Sequence, residues 1–263
     1  MSLLPASWTP LLTTRALGRS INHYAHTLTS TNLVLKDMAR QGAPHGSLCL
    51  CETQTAGRGR MDRQWSSPEG QGLWLSVLLR PHLPAEQAPL ITFCCALAMT
   101  KAVRQITGLD AQIKWPNDLV LRGKKLCGIL LEMGFDADGF WVVAGTGLNI
   151  RRSAYPADLA ERATSVEEWT DVPDRGALLA AYLHALEDSL AAVEQQGFAG
   201  IAEEFRQACI TLGSSVHVLG TDLTFTGTAE NIDETGALLV RTESELRRVL
   251  AGDVSVRGVM GYV

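Results

Sequence analysis

Arginine, glycine and tryptophan crowd into one short stretch of this chain, Glu52-Thr-Gln54-Thr-Ala-Gly57-Arg58-Gly-Arg60-Met-Asp62-Arg63-Gln-Trp65. Two glycines and three arginines fall within the seven residues 57–63. Glycine lets backbone come close to a ligand, and arginine neutralises several oxygens at once. The pattern predicts a mobile loop that folds over a small anionic substrate. Three more patches carry residues of chemical interest: Ser30-Thr31-Asn32, then Lys114-Trp115-Pro-Asn117-Asp118 with Lys124-Lys125-Leu-Cys-Gly128 close behind, and Gly145-Thr-Gly147-Leu-Asn149.

Each patch also has a purely structural reading. Ser30 and Thr31 stand where a helix would need a cap. An arginine loop is often just solvated surface, although Gly-Arg-Gly-Arg beside Trp65 is unusual for that. Trp115-Pro116 suits packing at a strand end, and Asn117 and Asp118 are turn formers. Gly145-Thr-Gly147 follows a strand as a dinucleotide-binding loop does, but position 150 is Ile, and no helix start follows.

The elements that must position these patches follow from periodicity and punctuation. Residues 1–19 read as an N-terminal arm with little pattern. Thr29 or Ser30 caps a helix running to about Gln41, which Gly42 ends. Residues 47–52 and 73–80 alternate as strands, and 89–106 form a long apolar helix that Gly108 terminates. Residues 111–115, 119–122, 126–135 and 139–150 read as strands, the last two joined by the turn Asp136-Ala-Asp-Gly139. Residues 174–196 form an amphipathic helix capped by Asp174, and 198–209 another helix. From about Gly213 only short β-like runs remain, at 216–219, 223–230, 238–241 and 253–257, with a hairpin turn at 233–236. Short turns between successive strands favour an antiparallel or mixed sheet over a doubly wound parallel one. The expected fold is therefore α+β, with a body over residues 20–211 and a small β-barrel over 212–263.

Composition narrows the classes. The chain has 263 residues, 46% hydrophobic and 19% charged, which is globular. A net charge of −5 argues against nonspecific nucleic-acid binding. The first twenty residues lack a basic start followed by an apolar run, and no apolar run reaches the roughly 18 residues of a membrane span. A cytoplasmic protein with no membrane partner is expected. The six cysteines, at 49, 51, 94, 95, 127 and 209, lack zinc spacing and read as small buried thiols, and no metal ligand set is visible.

Taken in order, Ser30-Thr31-Asn32, Glu52-Thr-Gln54 with Gly57-Arg-Gly-Arg60 and Arg63-Gln-Trp65, Lys114-Trp-Pro-Asn-Asp118, Lys125-Leu-Cys-Gly128-Ile, Gly145-Thr-Gly147-Leu-Asn149 and Ala251-Gly-Asp-Val-Ser-Val-Arg257 resemble the biotin protein ligase family, from about Ile21 to Arg257. The resemblance implies a catalytic domain related to class II aminoacyl-tRNA synthetases with a mixed sheet, plus a C-terminal SH3-like β-barrel. It implies a reaction in which biotin and MgATP give biotinoyl-5′-adenylate, and the biotinoyl group then passes to a lysine of a biotin carboxyl carrier protein. It assigns biotin to Ser30, Thr31, Asn32, Gln54, Gly57, Arg58, Arg60, Lys125, Gly128, Gly145 and Gly147. It assigns ATP or the adenylate to Arg58, Arg60, Arg63, Trp65, Trp115, Asn117, Lys125, Asn149 and Arg257. Arg58, Lys125 and Asp118 would be catalytic, the last as acceptor for the lysine's proton. A homodimer through a sheet edge is compatible with it.

Two expectations concern motion: residues 54–65 and 151–164 should order when ligand binds. Two departures from the family pattern matter. Met61-Asp62 occupies a place that often holds a basic or small residue and then glycine, and Asp62 puts a negative charge in the anion loop that would alter adenylate retention. About twenty residues precede the first matching segment, too few for the DNA-binding domain some members carry, so no nucleic-acid role is expected. Rival readings are a lipoate ligase or octanoyltransferase, which usually shows Arg-Arg before its glycines and His-Asp after them, and a noncatalytic biotin-binding protein, which the presence of Asn117, Asp118 and Lys125 disfavours.

Overall fold

The computed structural model describes residues 3–152, 159, 161–220, 224–251 and 254–258. The expected helices and strands appear with shifts of a residue or two at their ends. Twelve strands are described: β1 (Asn22–Leu28), β2 (Leu48–Gln54), β3 (Gly72–Leu79), β4 (Gln112–Lys114), β5 (Asp118–Leu121), β6 (Lys124–Asp136), β7 (Gly139–Asn149), β8 (Ser215–Gly220), β9 (Thr224–Ile232), β10 (Leu238–Arg241), β11 (Leu246–Val249) and β12 (Val254–Gly258). The α-helices are α1 (Pro5–Trp8), α2 (Thr31–Arg40), α3 (Pro89–Thr107), α4 (Arg175–Gln196) and α5 (Ala202–Ala208).

The first seven strands form one sheet in the order β1-β2-β3-β7-β6-β5-β4, and the last five form a second in the order β11-β10-β9-β8-β12. The large sheet is mixed: β1 runs parallel to β2, and every other neighbour pair is antiparallel. The second sheet is antiparallel throughout. The architecture is α+β with a small C-terminal β unit.

Alternation along the strands gives the large sheet two different faces. Leu48, Leu50, Leu75, Val77, Val142 and Ala144 point to one side and meet α3 and α4 in the main core. Cys49, Leu78, Trp141 and Val143 point to the other side, where they form a smaller core with Leu35 and Ala39 of α2. Helix α2 has ten residues, so it spans only about 15 Å. It covers one end of this second face and stops at Thr31. Beyond that point the same face carries Ser76, Gly145, Gly147 and Gly128, with Ser76 opposite Gly145 and Gly128 opposite Gly147. The cavity described below opens there.

Helix α3 is long and apolar enough to cross a membrane by length and composition, which corrects the reading that no stretch is. Its residues are nonetheless core: Leu90, Ile91, Phe93, Cys94, Cys95 and Met99 are buried, and Phe93 packs on Phe205 with ring centroids 4.5 Å apart. The N-terminal segment is not an unpatterned arm. It forms α1 and a 3-10 turn (Thr9–Leu11), and Leu3, Trp8 and Leu17 are fully buried. The helix expected over 198–209 is divided into a 3-10 turn (Gly197–Gly200) and α5. All six cysteines are free and buried, as read from their spacing. Burial raises the Cys51 and Cys95 thiols to about 12.

Candidate functional site

A cavity of about 1050 Å³ opens on the α2 side of the large sheet, and all four sequence patches border it. Its floor is a chain of hydrogen-bonded polar groups, with Thr31, Asn32, Ser67 and Ser76 buried and Gln54 and Glu132 half-buried. Gln54, at the end of β2, accepts a hydrogen bond from the Thr31 backbone N–H (2.9 Å) through Oε1 and donates from Nε2 to Ser67 Oγ (2.7 Å). Ser76 Oγ lies 2.8 Å from Thr31 Oγ1 and donates to Asn32 Oδ1 at 2.6 Å. Asn32 in turn donates to Glu132 Oε2 (2.9 Å). Ser30, read as a cap, makes no side-chain capping bond; Gln54 satisfies the first N–H of α2 instead. The Ser30 side chain is left at the cavity wall, 1% exposed.

The glycines leave a strip of this floor bare. A Cβ at Gly145 would collide with Asn32 Oδ1, and one at Gly147 would collide with the Trp65 indole. Trp65 also lies over Gly128, where an added Cβ would come within 2.9 Å of the ring. The arginine loop is thus seated on the sheet by one tryptophan, which stands edge-on to Trp74 (6.4 Å) and lies 5.3 Å from Lys125 Nζ. Its indole N–H has no hydrogen-bond partner among the described residues.

The loop itself is a small hairpin. Gly59 N–H donates to Arg63 O (2.7 Å), Trp65 N–H to Gly57 O (2.9 Å) and Arg63 N–H to Arg60 O (3.3 Å). The two tip residues, Met61 and Asp62, have φ of 54° and 55°, the left-handed backbone of a primed two-residue turn. Arg58 pairs with Glu132 at 3.3 Å. Arg60 donates to Asn117 Oδ1 (2.8 Å) and to the backbone carbonyl of Ala251 near the second sheet. Asn117 also donates to Ile129 O (3.0 Å), which holds its amide in place.

Lys125 forms an ion pair with Asp118 at 2.6 Å, across adjacent strands β5 and β6. Asn149 donates to Thr164 O (3.1 Å), tying the end of β7 to the segment that returns toward Lys125. Trp115 is 1% exposed, and its indole N–H donates to Gly236 O of the second sheet at 3.2 Å. Trp115 thus ties the cavity wall, which it lines, to the turn between β9 and β10. Arg257 lies on β12 opposite His217, but its side chain falls outside the described residues. So do residues 153–158 and 160 of the second segment expected to move. Among the described residues no group of three or more His, Cys, Asp or Glu could hold a metal.

Two partly or fully buried acids stand out, Glu132 beside the floor and Glu52 on β2. Burial alone would raise the Glu132 carboxyl, but hydrogen bonds from Lys36 and Asn32 and the charges of Lys36 and Arg58 hold it below its usual range. Glu52 behaves likewise. Burial works against its charge, and Arg175 at 2.7 Å, with bonds from the Leu3 N–H and Tyr24 hydroxyl, brings it below the usual range. Ser76 and Glu132 escaped the sequence reading. The signal available was a polar residue inside an apolar strand run, since a buried acid implies a partner.

A mixed sheet, a cavity with a cationic hairpin over a polar floor, and a small β unit closing one side define a catalytic domain of the biotin or lipoate ligase type. Residues 24–149 match the Biotin/lipoate A/B protein ligase family, and residues 211–257 match the Biotin protein ligase C terminal domain. The chain is 34% identical to a biotin–[acetyl-CoA-carboxylase] ligase of Mycobacterium tuberculosis, over 86% of this chain and 85% of that protein. It is 32% identical to the bifunctional ligase/repressor BirA of Bacillus subtilis, over 93% of this chain and 76% of that one. Its fold superposes on a biotin protein ligase from Aquifex aeolicus in complex with biotin and ATP, with a TM-score of 0.79, 29% identity, and coverage of 90% and 99%. The chain belongs to the biotin protein ligase family.

Proposed function

We propose that this chain activates biotin with ATP and passes the biotinoyl group to a lysine of a biotin carboxyl carrier protein. The carrying observation is that Thr31, Gln54, Arg58, Arg60, Lys125 and the Gly128/Gly145/Gly147 strip border one cavity. A neutral ring rich in donors and acceptors suits the Ser30, Thr31, Asn32 and Gln54 floor, and an anionic tail suits the loop side.

The chemistry asks little of a base in the first step. A carboxylic acid with a pKa of about 4 is ionised at neutral pH. Its oxygen attacks the α-phosphorus, the bond to the bridging oxygen breaks, and pyrophosphate leaves. The obstacle is repulsion between carboxylate and triphosphate. Arg58, Arg60, Arg63 and Lys125 lower it by placing fixed positive charge around the reacting atoms. Asn117 holds Arg60 in register. Asn149 acts one step behind, through Thr164. Magnesium carried in on the triphosphate would share this neutralisation. An acyl-adenylate hydrolyses in water, so the hairpin with Trp65 would serve as the cover.

In the second step a lysine amine attacks the acyl carbon, AMP leaves with the bonding pair, and the amine loses a proton. That amine has a pKa of about 10.4 in water, so a proton acceptor helps. Asp118 is the acceptor we assign, reached once Lys125 has turned to the ligand. Asp118→Asn should slow transfer from preformed adenylate more than adenylate synthesis; equal slowing would remove the role.

Pyrophosphate exchange into ATP, run with biotin, with lipoate and with neither, tests the whole reading. Exchange that needs biotin supports it. Exchange with lipoate alone assigns the chain to the other branch, and biotin binding without exchange makes it a binding protein. A cytoplasmic location is a further part of the proposal.

A further inference from the structure

We propose that Glu132 is a positioning residue that parks the Arg58 guanidinium at the rim of the cavity and yields it to the anionic ligand. The inference rests on the biotin-activating reading above, in which Arg58 neutralises the reacting anions.

The geometry is that of one carboxylate shared by two cations of unequal grip. Glu132 Oε1 accepts from Lys36 Nζ at 2.7 Å and faces Arg58 Nη1 at 3.3 Å, while Oε2 accepts from Asn32 at 2.9 Å. The Lys36 side chain is 18% exposed and Arg58 40%, so Arg58 is both the looser and the more accessible partner. A carboxylate with Arg58 as its sole cation would compete with any incoming anion, and losing Arg58 would strand a buried charge. Lys36 removes that difficulty: Glu132 stays neutralised when Arg58 leaves. The arrangement draws the first arginine of the hairpin toward the sheet, limits where it can go, and lets it exchange partners at small cost. Lys36 and Asn32 both come from α2, on the stripe 32, 35, 36, 39 that faces the sheet. The helix that frames the floor therefore also supplies the counter-charge for the loop.

Glu132 also holds Asn32, and through it the floor, so the test must separate the two roles. Glu132→Gln keeps an acceptor for Asn32 and removes the charge. We expect biotin KM to rise by about tenfold, the worth of one charged hydrogen bond that holds Arg58 where the ligand meets it, with kcat nearly unchanged. In an Arg58→Ala background the same substitution should leave KM unchanged. An equal effect in both backgrounds would make Glu132 a floor residue and overturn the proposal, as would no effect in either. Should Glu132→Gln fail to fold by circular dichroism, Lys36→Met serves instead. Glu132 then grips Arg58 harder, so biotin KM should rise, again only where Arg58 is present; an unchanged KM overturns the proposal. Failure of biotin-dependent exchange in the unsubstituted protein would instead sink the functional reading, before any variant is compared.

Discussion

The floor of the cavity and the hairpin above it are built on opposite principles. Gln54, Thr31, Ser76 and Asn32 are linked in a hydrogen-bonded chain, and all but Gln54 are buried. The hairpin is held internally by its own backbone bonds, and it meets the body through Trp65, Arg58 and Arg60. The difference follows from what each must handle. Neutral hydrogen-bonding groups are discriminated best by donors and acceptors that do not move, because a misplaced partner leaves a buried group unpaired. Anions that enter, react and leave need cations able to change partners. Arg58 and Lys125 both sit on carboxylates that a ligand can replace.

The largest effect should come from the cation that rides on the rigid part. Lys125 is on β6, 2.6 Å from Asp118 and over Trp65. Lys125→Ala should lower the kcat/KM of biotin-dependent pyrophosphate exchange by about 10²–10³, the scale seen when one preorganised charge-stabilising group is removed. Thermal unfolding should move little, since the lysine's partner is at the cavity edge. A loss below tenfold would mean that the loop arginines carry the charge unaided, and the contrast drawn above would need reversing.

The strand that carries Gln54 should respond through stability. Glu52 and Arg175 form an ion pair with side chains 9% and 11% exposed, two residues before Gln54. Arg175→Met should cost about 3 kcal/mol at neutral pH, as breaking a buried pair does. The sign with pH is fixed by the direction of the shift. Glu52 is lowered from its ordinary 4.5 in the folded protein, so the unfolded chain takes up the proton first as pH falls. The pair's contribution is complete above about that pH and disappears as the pH drops through the lower folded value. Urea denaturation at pH 7 and pH 4 should therefore show the gap between parent and variant narrowing in acid. A gap constant across that range would mean the pair does not anchor β2.

How much of this was legible in the sequence follows the same division. The glycine, arginine and lysine patches could be read because their residue types are costly anywhere but at a site, and all of them border the cavity. Strand β1 was missed because Asn22-His-Tyr-Ala-His-Thr-Leu28 is an edge strand with a half-exposed pattern, and two histidines hide the alternation. Strand β11, Leu-Arg-Arg-Val, was missed for the same reason at the edge of the second sheet. Residues 3–17 looked patternless because their buried residues, Leu3, Trp8 and Leu17, are spaced by tertiary packing and not by a helical or strand period. Trp115 was legible as a cavity residue, but its bond to Gly236 was not, because nothing in the sequence links a strand end to a turn 121 residues further on.

The smallest predicted effect tests whether the hairpin is a poised element, and it lies at the tip. A primed two-residue turn favours Asn-Gly because both central residues need positive φ. Here those residues are Met61 and Asp62, at 54° and 55°. A side chain in left-handed backbone costs about 1–2 kcal/mol, somewhat less for Asp. The closed hairpin therefore carries strain at its tip, besides an acid in a loop whose task is to hold anions. Asp62→Gly should relieve both, favour the closed form by about 1 kcal/mol, and slow biotinoyl-adenylate dissociation by about fivefold. Asp62→Asn separates the causes, since Asn keeps the shape and the tolerance for positive φ while losing the charge. Slowing by Gly alone assigns the effect to backbone, and equal slowing by both assigns it to charge. If neither variant slows release, the tip does not limit opening. Retention would then be governed where Trp65 meets Gly128 and Gly147, on the rigid side of the cavity.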